Sequence, residues 1–232
     1  MALIVLLDFT VIKNQYQTSF NASLIDKAER MESIDKPKII LAGDSNVAFG
    51  FDSALIEKEL GMPVVNMGLH AALGNVFLER AGTLYVNSGD IVVICSSSYD
   101  DDNTIKDTGM ALKTLEHHKN LWQIPRKEDY FGLATAYPNY IAESVACWIS
   151  HTGNKAYDDP YSRYSFNDYG DIVDRPEGKK LDPDEMFAKT PMVKPKLSDQ
   201  CAQRLNALND ELKEKGAVLL VAGYPIGDGE YT

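Results

Sequence analysis

Short apolar runs alternate with helix-period stripes along this chain. Ile39-Ile40-Leu41-Ala42 has the length and β-branching of a buried parallel strand. Pro63-Val64-Val65-Asn66, Asp90-Ile91-Val92-Val93-Ile94-Cys95 and Ala217-Val218-Leu219-Leu220-Val221-Ala222 read as three more buried strands. Between them lie helical stripes. Ser23 to Ile34 carries Leu24, Ile25, Ala28 and Met31 on one face, with Ser23 and Asp26 at capping-box spacing. A helix capped by Asp52 carries Leu55, Ile56 and Leu60 and stops at Gly61 and Pro63. Val76, Phe77, Ala81, Leu84 and Tyr85 mark another, ended by Ser88-Gly89. The order from Ile39 to Ile94 is therefore β-α-β-α-β, which implies a parallel sheet with right-handed crossovers. The expected fold class is α/β, a three-layer α/β/α sandwich with a parallel, flavodoxin-like sheet.

Further along, Thr104 to Lys119 reads as a helix with Ile105, Met110, Leu112 and Leu115 available to pack. An aromatic-rich insertion spans roughly 130–180. Its first part is helical up to Ile149, with Tyr140, Ile141, Ser144, Val145 and Trp148 on one face. Its second part, Tyr157 to Gly178, reads as a long loop, either a lid for a sugar or acyl group or a surface-packed insertion. Lys194 to Gly216 is a helix with Leu197, Cys201, Leu205 and Leu208 on its apolar face. At the start, Met1 to Leu7 is apolar and too short to span a bilayer. It reads either as a core element or as the trailing end of a membrane anchor, with Lys13 to Thr18 as a polar stalk. Residues 21–232 then form one domain, and 1–20 the remnant of anchor and stalk.

Chemistry enters at Gly43-Asp44-Ser45-Asn46, a turn that puts Ser45 at the carboxyl end of a strand, the edge where open α/β sheets bind ligands. Gly43-Asp44-Ser45 after a first strand, with Gly68 after the second, resembles the first two conserved blocks of the SGNH (GDSL-like) hydrolase superfamily. The resemblance covers roughly Pro37 to Tyr99 and the last strand. It implies Ser45 as nucleophile, with the backbone N–H groups of Gly68 and Ser45 in an oxyanion hole. Asp44 and Asn46 fall to tying the turn or touching substrate. Two features depart from the family. After the third strand stands Ser96-Ser97-Ser98-Tyr99 rather than Gly-x-Asn-Asp, leaving Ser98 or Tyr99 as hydroxyl donors. No Asp-x-x-His supplies a base anywhere in the chain. Among the histidines, His70 is nearest in sequence, and neighbouring strand ends about 5 Å apart bring it within reach of Ser45.

Composition narrows the classes. A net charge of −11 argues against nucleic acid as a partner. The three cysteines, Cys95, Cys147 and Cys201, fit neither a metal motif nor a disulfide framework. Asp100 to Asp102 is read as a solvated acidic run and adjacent His117-His118 as helix-end residues, so no metal and no cofactor is expected. By resemblance, the expected activity is that of a serine esterase or O-acyltransferase acting on acyl (acetyl) esters, with a cell-envelope glycan as one such substrate. The setting that goes with it is extracytoplasmic and membrane-attached through an N-terminal helix, with a cytoplasmic one as the other option. The missing base predicts a fragment whose C-terminal segment carries Asp-x-x-His. The rival reading is a non-catalytic SGNH-like binding or scaffold protein.

Overall fold

The computed structural model describes residues 13–96, 99–155, 160–173 and 198–223. Four strands, β1 (Ile39–Gly43), β2 (Val64–Asn66), β3 (Ile91–Ser96) and β4 (Val218–Gly223), pair in parallel in the order β2-β1-β3-β4. The fold is α/β, with the strand order expected from the sequence. Around the sheet stand α1 (Ser23–Ser33), α2 (Ser45–Gly50), α3 (Ser53–Leu60), α4 (Asn75–Ala81), α5 (Thr108–Leu115), α6 (Tyr130–Ser150) and α7 (Asp199–Glu214).

Strand alternation divides the interior in two. Ile40, Ala42, Val65, Val92 and Ile94 point to the larger core, shared with Leu24 and Met31 of α1, Phe77 of α4, Leu112 of α5 and Leu212 of α7. Ile39, Leu41, Val64 and Cys95 point the other way, onto Val47 of α2 and Ile56 beside it. Helices thus pack on both faces, and β1 and β2 are buried throughout.

The structure corrects several expectations. β4 is not buried but is an edge strand. Val218, Leu220 and Val221 are about half exposed, because among the described residues β4 pairs only with β3 and α7 packs on one face of it. No capping box forms on Ser23: a 3-10 turn, Phe20–Ala22, runs directly into α1, so the cap position is already helical. The chain turns helical at Ser45 itself, and the helix capped by Asp52 is a second one, in which Leu55 and Leu60 are exposed. The helix expected over 104–119 is only α5, capped by Asp107. Met1 to Leu7 lies outside the described residues. Among those described, no helix is long and apolar enough to cross a membrane.

Two buried ion pairs tie distant segments together. Lys38 and Asp90, each with no exposed side-chain surface, meet at 2.9 Å at the amino edge of β1 and β3. Arg204 of α7 meets Glu79 of α4 at 3.1 Å and donates to the carbonyls of Asp100 and Asp102, at 3.0 and 2.6 Å. Asp100 and Asp102 also flank Lys106, so this acidic run is held by cations of the chain.

Candidate functional site

The carboxyl edge of the sheet gathers most of the residues singled out in the sequence. Ser45 is the first residue of α2, immediately after β1 and its capping residue. Asp44, buried, accepts the Asn46 N–H on Oδ1 at 2.9 Å and so caps the helix. Ser45 and Asn46 are half-buried, and the Ser45 hydroxyl has no hydrogen-bond partner among the described residues. On one side, Cys95 of β3 is in register with Gly43, which places Ser96 at the level of Asp44. On the other, the chain past β2 continues to pair with β1, Leu69 donating to the Gly43 carbonyl at 3.2 Å.

Gly68 lies against α2: a Cβ there would come within 2.5 Å of the Ala48 nitrogen, so only glycine lets the two backbones approach. Its N–H donates to Asn66 Oδ1 at 2.9 Å, and its carbonyl accepts from Lys27 Nζ at 2.6 Å. The donor assigned by resemblance to an oxyanion hole is therefore engaged within the protein in this state. Asn66 also donates to the Val47 carbonyl and to Asp171, 2.9 and 2.8 Å away. Asp171 in turn holds Ser53 by both its hydroxyl and its N–H. This buried polar network locks the loop around 167–172 onto β2 and α2, with Ile172 N–H donating to the Ala48 carbonyl. The described part of the expected lid thus acts as a buttress for the helix that begins with Ser45.

His70 has a different task from the one the sequence suggested. It caps a 3-10 turn, Ala71–Leu73, with Nδ1 accepting the Ala72 N–H at 3.1 Å. An accepting Nδ1 carries no proton, so the neutral ring holds its proton on Nε2. Nε2 is then a donor and cannot take a proton from serine without loss of the cap. The other three of the four histidines, His117, His118 and His151, are also among the described residues, and none hydrogen-bonds Ser45. Tyr99 is likewise committed: its hydroxyl lies 2.6 Å from the Ala222 carbonyl and 3.1 Å from that of Ile94, bridging β4 and β3. Ser98 lies outside the described residues.

Lys27 is the residue that sequence reasoning missed. It is fully buried on α1, its ammonium bonded to Gly68 and 4.2 Å from the centre of the Phe166 ring. Burial lowers its pKa to about 7, opposed by the negative charges of Asp171 and Asp26. A signal was present: Leu24, Lys27, Ala28 and Met31 follow helical spacing, so Lys27 falls inside the apolar stripe.

Fold and edge together define a parallel α/β protein with a serine-bearing polar site at the carboxyl ends of its strands. No protein-family model matches the chain, and no curated protein or solved structure is found similar to it.

Proposed function

We propose that this protein is an SGNH-like serine esterase or O-acyltransferase, a three-layer sandwich of that type, acting on acyl esters through an acyl-enzyme on Ser45. The observation that carries the reading is the position of Ser45. It stands after a central parallel strand, half-exposed, with a hydroxyl that has no partner among the described residues, at the edge where α/β sheets bind ligands. In the reaction Ser45 Oγ attacks the acyl carbonyl, its proton passes to a base, and the base returns it to the leaving oxygen, which departs as the alcohol. Water or a second hydroxyl then takes the acyl group. No described residue hydrogen-bonds the Ser45 hydroxyl, so the base in this proposal is a group other than a resting hydrogen-bond partner. An envelope glycan ester as substrate, and attachment to a membrane, belong to the same proposal.

A second reading, a non-catalytic binding or scaffold protein of the same type, is favoured by the Asn66 bond to Gly68 N–H. A serine-directed fluorophosphonate separates the two, with p-nitrophenyl acetate turnover as a second readout. The esterase reading expects labelling and turnover that both vanish in Ser45→Ala. Absence of labelling, or equal labelling of the variant, overturns it and leaves the binding reading.

A further inference from the structure

A cavity of about 330 Å³ adjoins the aromatic cluster that α2 meets through Phe49. Its place follows from α2. Phe49 is four residues after Ser45, on the same face of the helix. The Phe49 ring stands 6.3 Å from Phe20 and 5.6 Å from Tyr161, and both of these rings line the cavity with His70. His70 itself follows Leu69, whose N–H is bonded to Gly43.

The wall of this cavity is almost entirely carbon, and several of its polar groups are spent inside the protein. Thr114 donates its hydroxyl to the Met110 carbonyl at 2.9 Å. Lys113 is paired with Glu143 at 2.6 Å. Asn21 Oδ1 takes the His70 N–H at 3.0 Å. Four donor groups remain without partners among the described residues: the Tyr16 and Ser19 hydroxyls, the Asn21 amide NH₂ and His70 Nε2–H. No carboxylate lines the cavity. A sugar needs acceptors for its many hydroxyls, and the few hydroxyl oxygens in this wall would leave most of them unpaired at a cost. An aliphatic chain ending in a carboxylate or ester carbonyl needs what is present, a carbon wall and a few donors. The volume is roughly twice that of a cavity of about 150 Å³ that takes benzene, enough for a chain of roughly eight carbons.

We infer that the cavity between Phe20, Tyr161 and His70 binds a medium-chain acyl group, with His70 Nε2–H donating to its carbonyl or carboxylate oxygen. The inference deepens the esterase reading by naming an acyl chain rather than acetyl or glycan as the recognised part. It rests on that reading only for what happens to the bound group. The occupancy itself is therefore measured in Ser45→Ala protein, by calorimetric titration with butyrate, hexanoate, octanoate and octanol at pH 7.5. The expected result is a gain in affinity of about fourfold per methylene from butyrate to octanoate, with octanoate preferred over octanol. Tyr161→Ala, at an exposed ring, is expected to weaken octanoate about tenfold. His70→Asn, which keeps a capping acceptor for Ala72, is expected to remove the preference for octanoate over octanol. Met110→Trp fills the cavity and is expected to abolish binding without removing a donor. Affinity that is flat with chain length, or unchanged in all three folded variants, overturns the inference. Fluorophosphonate labelling of the wild-type serine reports on the esterase reading separately.

Discussion

At the scale of single residues, Lys27 shows most plainly how the chain holds its site. A lysine buried without a carboxylate in contact is costly when charged, and burial brings its pKa down to about 7 from 10.5. The sign of the effect on stability follows. Between pH 7 and about 10.5 the unfolded chain binds a proton at Lys27 that the folded chain lacks, so stability rises with pH across that window. The slope from this one group is at most about 1.4 kcal/mol per pH unit, and it vanishes below pH 7, where the penalty is complete. Lys27→Met keeps the length of the side chain and removes the charge. The difference in unfolding free energy between wild type and variant, measured by urea titration from pH 6 to 9, is expected to shift toward the wild type as pH rises. A difference independent of pH would mean that Lys27 keeps an ordinary pKa. Ser45 and His70 illustrate a related point. The environment of each, a hydroxyl without a partner among the described residues and a ring already acting as an acceptor, decides its chemistry more than its residue type does.

At the scale of elements, β1 and β4 look alike in sequence and differ in burial. Ile40 of β1 is fully buried, whereas Leu220 of β4 is 50% exposed. Truncation of Ile40 to alanine removes contacts on every side and leaves a cavity, for an expected loss of about 2–5 kcal/mol. The same change at Leu220 is expected to cost less than about 1 kcal/mol, because half of its surface is already in water. Chemical denaturation of the two variants tests this, and equal losses would show that β4 is covered in solution. Short apolar runs do not report which strand has neighbours on both sides. That depends on strand order, which is set by how the crossovers close.

At the scale of the molecule, the pair between Glu79 and Arg204 joins α4 and α7 and fixes the loop after β3 through Asp100 and Asp102. Burial raises the pKa of Glu79, while the Arg204 charge and hydrogen bonds pull it down. Arg204→Met strands a buried carboxylate and the two carbonyls, with an expected cost of about 3–5 kcal/mol. Replacing both residues, Glu79→Leu with Arg204→Met, is expected to recover part of that loss, because no charge is left buried. A double variant as unstable as the sum of the two singles would show that the pair is not coupled. The carboxyl edge depends on this closure, since the loop held by Arg204 leads from the end of β3, beside Ser45.

The alternation of strand and helix, the 2-1-3 order, the strand-turn placement of Ser45 and the helical stripe of α1 were legible from the sequence. They rest on local properties: apolar period, turn residues and the handedness of crossovers. Lys27 and Arg204 fell within apolar stripes, at Leu24-Lys27-Ala28-Met31 and Cys201-Arg204-Leu205-Leu208, so their burial left a trace that pattern alone did not interpret. Other features were decided only by tertiary structure. The edge position of β4, the engagement of Gly68 N–H by Asn66, the tautomer of His70 and the buttress from Asp171 each depend on a partner far away in sequence or on the local closure of a turn. A hydrogen bond between Asn66 and Asp171 spans 105 positions. No local period records such a contact, because it exists only once packing has brought its two ends together.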